Sequence, residues 1–78
     1  MKYRQIIITT PQGQEIAKYV NPEFMTHSKA GVLLIGTIAN DKGQAHLSGI
    51  QLLSINANHV VYSAALTDGT AVNLKVYQ

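Results

Sequence analysis

Three histidines are the side chains of this sequence best suited to binding a metal ion or to transferring protons, and they are His27, His46 and His59. Their spacing fits no local ligand pattern, and the chain has no cysteine to complete a zinc site. Only His46 and His59 stand on segments that are expected to form adjacent strands, so folding could bring these two histidines together. We therefore expect the histidines to lie at the surface, and we expect neither a metal ion nor another cofactor.

Three of the four acidic residues have structural roles that account for them without catalysis, and only Glu15 has no evident structural role. Asp41 and Asp68 lie in predicted turns, where their side chains bind backbone N–H groups, and Glu23 stands at a predicted helix start. No serine occupies a G-x-S-x-G turn, and the glycines form neither a G-x-G-x-x-G sequence nor a P-loop. The sequence thus predicts that the protein is not an enzyme. The alternative is a small enzyme that uses His46 or His59 at a subunit interface, next to a carboxylate or a serine.

Basic residues that stand beside tyrosines point to a different use. Small β-barrels that bind single-stranded nucleic acid combine a basic groove with aromatic stacking platforms. The net charge of +2 is low for such a protein, and scattered lysines are typical of an ordinary soluble surface. Nucleic-acid binding is therefore the alternative function and not the favoured one. The residues predicted to carry it are Lys2, Arg4, Tyr19, Lys75 and Tyr77.

The composition limits the ways in which this chain is stabilised. Its 78 residues predict one small domain, residues 1–78. A chain of this size buries only about 60–65% of its unfolded surface, and disulfides are excluded because there is no cysteine. Hydrophobic residues make up 46% of the chain and charged residues only 13%. A partner chain is therefore the expected cover for the remaining apolar surface.

No segment predicts a signal peptide or a membrane-spanning helix. The apolar run at residues 6–8 is shorter than the hydrophobic region of a signal peptide. The longer run at residues 30–38 is interrupted by Gly31, Gly36 and Thr37 and falls short of a bilayer's thickness. We expect a cytoplasmic protein that does not contact membranes.

Segments of alternating and β-branched residues, separated by turn residues, predict a mainly β fold. We expect a single small domain with about six antiparallel strands, arranged as a strongly bent sheet or a small open barrel. The pair Asp68–Gly69 predicts a hairpin, and in the strand after it Val72, Leu74 and Val76 should face the core. Residues 14–20 fit a strand or a helix, and we favour a strand paired with the first one.

One short helix is predicted near residues 22–30. Asn21 suits the N-cap, Pro22 suits the first helical position, and Gly31 suits the left-handed position after the last turn. Such a helix would have about two turns, so the sheet would have to hold it in place.

The segment QAHLSGIQLLSIN is long for a single strand, and its apolar residues change parity. Ile50 and Leu52 share one parity, whereas Leu53 and Ile55 share the other. A β-bulge near Gly49 or at Leu52–Leu53 would account for this switch.

The segment from Val32 to Ala39 is apolar at both parities, so both faces of this strand should be covered. The core covers one face, and the short helix or a second subunit must cover the other. We therefore predict a non-enzymatic protein-binding or assembly module that acts as a homodimer or larger homo-oligomer. A larger protein partner, or strand addition at an open edge, also fits. The predicted interface comprises Val32, Leu33, Ile35 and Ile38.

Overall fold

Seven β-strands account for most of the chain in a computed structural model that describes residues 2–29 and 33–78. No helix occurs among these residues, and every pair of neighbouring strands is antiparallel. The prediction of a mainly β, antiparallel fold is therefore confirmed. The strands are β1 (Gln5–Thr9), β2 (Glu15–Val20), β3 (Glu23–Lys29), β4 (Leu33–Asn40), β5 (Gly43–Ile55), β6 (His59–Leu66) and β7 (Ala71–Tyr77).

All seven strands belong to one sheet, in the order β2-β1-β7-β6-β5-β4-β3. Strands that follow each other along the chain are neighbours in the sheet, except for β2 and β3, which do not pair. The first and last strands, β1 and β7, also pair with each other. β2 and β3 are therefore the two edges, and the sheet is not closed.

The buried side chains lie on one face of the sheet, which we call the inner face, and the opposite face is the outer face. In β7, Val72, Leu74 and Val76 are buried, as their alternation predicts. Phe24 on edge strand β3 belongs to the same cluster as Ile6, which lies next to the other edge, so the sheet is curled. The buried core consists of Ile6, Ile8, Phe24, Ile38, Leu47, Ile50, Ala64, Val72, Leu74 and Val76.

The predicted helix near residues 22–30 is wrong, because this segment forms the edge strand Glu23–Lys29. That strand pairs with β4 over seven successive residue pairs, and it is the reason why the sheet has seven strands rather than about six. A two-turn helix would lack a comparable set of backbone partners. Of the predicted capping residues, Pro22 is buried, Asn21 has a left-handed φ of 52°, and Gly31 lies outside the described residues.

The corner between β2 and β3 ties the two edges of the sheet to the N-terminal segment. The backbone N–H of Asn21 donates to the carbonyl oxygen of Arg4 at 2.9 Å. Lys2 forms an isolated antiparallel bridge with Glu23, at the start of β3. The segment that precedes β1 thus contacts the chain at both sides of the corner, which keeps the sheet curled.

The local predictions for turns and bulges are confirmed. Gly69 has a φ of 90° in the β6–β7 turn, as the pair Asp68–Gly69 predicts. Residues 15–20 form β2 and pair with β1, the favoured one of the two alternatives. β5 shifts register against β6 at both suspected places, around Gly49, whose φ is 62°, and directly after Leu52.

Candidate interaction surfaces

The second half of β5, Gln51–Ile55, is exposed along its whole length, and we call it the β5 edge. Its large apolar residues Leu52, Leu53 and Ile55 are 56%, 55% and 73% exposed. On one side this segment pairs with β6. On the other side, the pairing of β5 with β4 ends at Leu47. Within the described ranges, no strand pairs with this side of the β5 edge.

The two irregularities of β5 explain why this edge is open. Each shift of register against β6 bends the strand, and Gly49 supplies the left-handed conformation that the first one needs. β4 stays paired with β3 as far as Leu33 and does not follow β5 around the bend. The second shift also leaves Leu53 without a partner residue on β6, between Leu52, which pairs with Tyr62, and Ser54.

The β5–β6 hairpin has no formal charge with which to protect this edge. Between Lys42 and Asp68 the sequence has no Asp, Glu, Lys or Arg. Edge strands of soluble proteins usually carry lysines, prolines or inward-pointing charges that hinder pairing with another chain, and edge strand β2 carries Lys18. An open, apolar and uncharged edge is typical of a strand that pairs with a partner.

Two of the predicted interface residues, Ile35 and Ile38, lie on opposite faces of β4. Ile38 is 0% exposed and belongs to the core, whereas Ile35 is half-buried on the outer face of β4. Val32 lies outside the described residues, and Leu33 is the first residue of β4. The exposed apolar surface that sequence reasoning misses lies on the neighbouring strand β5. Its signals in the sequence are the change of parity and the long stretch without charge.

The residues predicted to bind nucleic acid are brought together only in part. Lys75 and Tyr77 lie on the outer face of β7, and the guanidinium of Arg4 lies 5.6 Å from the centroid of the Tyr77 ring. Tyr19 lies on the inner face of β2 and packs against the core, so it faces away from them. Lys2 lies at the bridge to β3, at a different part of the surface.

The three histidines do not converge. His27 and His46 lie on the outer faces of β3 and β5, and the hydroxyl of Thr37 lies 3.1 Å from Nδ1 of His46. The antiparallel register puts His46 and His59 at opposite ends of the β5–β6 pair, roughly 25 Å apart along the strands. In the parts of the chain that the structure describes, no group of three His, Asp or Glu side chains is placed to hold a metal ion.

An open groove of about 920 Å³ separates β2 from the β4–β5 hairpin. The side-chain amide of Asn40 spans it and donates to the carbonyl oxygen of Val20 at 3.2 Å. Charges of both signs line the groove, which is the gap between the curled sheet and its own edge rather than a convergent site. These charged residues are Lys2, Lys18, Glu23, Asp41 and Lys42.

Among the described residues, the pKa values of Asp68 and Tyr3 are shifted from their ordinary values, and both shifts have structural causes. Hydrogen bonds from the side chain and the backbone of Thr70 lower the pKa of Asp68, whose Oδ1 lies 2.9 Å from the Thr70 nitrogen. Partial burial, and then the neighbouring Tyr62, raise the pKa of Tyr3. Asp68 stabilises the β6–β7 turn and Tyr3 packs against Phe24, so neither shift points to a catalytic group.

Comparison of the chain with known protein families, with curated proteins and with solved structures finds no match. Among the described residues there is no helix with the length and hydropathy needed to cross a membrane.

Proposed function

We propose that this protein is a non-enzymatic assembly module that forms a homodimer or larger homo-oligomer through the β5 edge. The observation that carries the proposal is the exposure of Leu52, Leu53 and Ile55 on a strand segment that, among the residues 2–29 and 33–78, pairs with β6 alone. Removal of such apolar side chains from water favours association, at about 25 cal/mol per Å² buried. The unpaired backbone groups of the same segment add hydrogen bonds to a second strand.

A second copy of this chain is the partner that fits the β5 edge best. Antiparallel pairing about a twofold axis places Gln51–Ile55 of one copy beside the same segment of the other. Because the sequence between Lys42 and Asp68 is uncharged, self-pairing brings no like charges together. A charged partner segment would find no complementary charge on this hairpin.

The expected interface is modest in area. A standard stable interface buries about 800 Å² on each partner, which is roughly a sixth of the 4972 Å² surface of this chain. A pair of short strand segments covers only part of that area. We therefore expect an assembly that dissociates when the protein is diluted.

The test is the solution mass, measured by light scattering over a hundredfold dilution. At the highest concentration the wild-type mass should exceed the 8.5 kDa of one chain, and it should fall towards that value on dilution. Leu53→Lys and Ile55→Lys should keep the mass of one chain throughout. Each of them places a charge on the edge, and Leu53→Lys, at the centre of the segment, places it opposite its own copy; such charges oppose strand pairing.

Val20→Lys and Met25→Lys are matched controls, because these residues are 55% and 57% exposed on the edge strands β2 and β3. Both variants should keep the wild-type mass at every concentration. Two results would contradict the proposal: a wild-type protein that is a single chain at all concentrations, or dissociation by a control variant while the β5 variants remain assembled.

A further inference from the structure

Three basic side chains lie together on the outer face of β2, β1, β7 and β6, a surface that is separate from the β5 edge. The registers of these four strands align their outward-facing residues in rows. One row holds Lys18, Ile7, Lys75 and Val61. The next row holds Val20, Gln5, Tyr77 and His59. Lys18, which the sequence prediction did not include, thus lies two strands from Lys75.

Arg4 is held at the end of the second row by Tyr77. Its guanidinium carbon lies 5.6 Å from the centroid of the Tyr77 ring, within the range of a cation–π contact. The His59 ring stacks on Tyr77 as well, with the centroids 4.9 Å apart and an angle of 28° between the planes. Within the described residues, no hydrogen bond or ion pair occupies the guanidinium of Arg4, so its N–H groups are available to an anion.

No carboxylate lies in these two rows. Glu15 lies on the same face in the adjoining row, where it pairs with Thr9, and Glu23 lies on β3. Asp41 and Asp68 lie in the β4–β5 and β6–β7 turns. Three of the six Lys and Arg residues therefore share these two rows, although the net charge of the chain is only +2 and Glu23 and Asp41 line the groove beside Lys18. We call this surface, with Arg4, Lys18 and Lys75, the basic face.

We propose that the basic face binds the phosphate backbone of single-stranded nucleic acid. Its cations are spread over β2, β7 and the segment before β1, so they match a chain of phosphates better than one small anion. Half-buried Ile7 and Val61 lie on either side of Lys75 and offer apolar contact to unpaired bases. In a duplex the bases are stacked and paired, and the broad face of a sheet does not reach them.

Tyr77 acts as a positioning residue at this surface rather than as a stacking platform. The contacts with Arg4 and His59 already engage its ring. Binding should therefore depend on phosphate contacts and should show little sequence preference.

The test is the salt dependence of binding, measured by fluorescence anisotropy with labelled single strands of deoxythymidine and of uridine. The logarithm of the binding constant should fall linearly with the logarithm of the salt concentration. On a single strand each phosphate contact contributes about −0.7 to the slope, so three contacts predict a slope of about −2. Lys18→Gln and Lys75→Gln should each change the slope to about −1.4. Lys75→Arg keeps the charge and should restore the slope of the wild-type protein.

Lys42→Gln is the control for the loss of a lysine charge, because Lys42 is an exposed lysine in the β4–β5 turn, outside the two rows of the basic face and across the groove from Lys18. It should bind with the slope of the wild-type protein. The proposal is overturned if neither single strand binds at low salt, or if Lys42→Gln changes the slope as much as Lys75→Gln. A duplex of the same length that binds as tightly as the single strands would also overturn it, because the basic face would then contact phosphates alone.

Discussion

At the scale of single residues, Gly36 shows how closely β4 passes the core. A Cβ atom at this position would lie 2.8 Å from Cδ1 of Ile50 and 3.0 Å from Cε1 of Phe24. It would also lie 3.1 Å from the carbonyl oxygen of Met25. The side chain of Ile50 has some freedom to move, but the backbone of the paired strand β3 does not. The absence of a side chain at Gly36 is thus a packing requirement.

We expect Gly36→Ala to lower the free energy of unfolding by about 1–3 kcal/mol, the usual cost of an extra carbon atom in a filled core. Urea denaturation followed by circular dichroism measures this change. Gly43→Ala is the matched control, since no heavy atom lies within 4 Å of the added Cβ there. The control should change stability by less than about 0.5 kcal/mol. Equal stability of the two variants would contradict the close packing at Gly36.

At the scale of strands, the direction of β3 depends on the corner at Asn21. Its φ of 52° lies in the left-handed region, which asparagine tolerates better than most residues do. This conformation turns the chain so that β3 pairs with β4 instead of continuing beyond β2. A right-handed helical start at the same residue is incompatible with it.

Asn21→Ala should therefore destabilise the protein by about 1 kcal/mol, because alanine resists the left-handed conformation. Asn21→Gly should be close to neutral, since glycine adopts it freely. Both variants keep the backbone N–H that donates to Arg4, so the comparison isolates the backbone conformation. Thermal unfolding of the two variants side by side gives the answer, and an alanine variant at least as stable as the glycine variant would refute the argument.

At the scale of the whole molecule, the small size of the core makes association important for stability. The radius of gyration is 11.5 Å, about the value expected for a compact domain of this length. A core of this size leaves little surplus stability, so the burial of the β5 edge against a second copy would contribute appreciably. If folded chains associate and unfolded chains do not, the midpoint temperature of unfolding also rises with protein concentration.

We therefore expect the thermal midpoint of the wild-type protein to rise with protein concentration, over the range in which its mass increases. Leu53→Lys should unfold at one temperature at all concentrations, because it has no association to lose. Differential scanning calorimetry at several concentrations compares the two. If the midpoint temperature of the wild-type protein stays constant while its mass changes, unfolded chains associate as well as folded ones, which would contradict the prediction.

Several features of the fold follow from short stretches of the sequence. The alternation in β7 predicts its buried face, the pair Asp68–Gly69 predicts its hairpin, and the change of parity near Gly49 predicts a bulge. Each of these depends on backbone preferences and side-chain parity within a few residues. Such local preferences act in the same way wherever the segment lies in the molecule.

Other features were decided only when distant strands paired. Segment 23–29 has helix-capping residues at its start, but the backbone partners that β4 offers make it a strand. The exposure of the β5 edge depends on where β4 and β5 separate, and the neighbourhood of Lys18 and Lys75 depends on the registers of β1 with both β2 and β7. Local sequence patterns were thus enough to predict the β class, the turns and the bulges. Which apolar and basic residues share a surface depended on the tertiary structure, because strand pairing joins residues that are far apart in the chain.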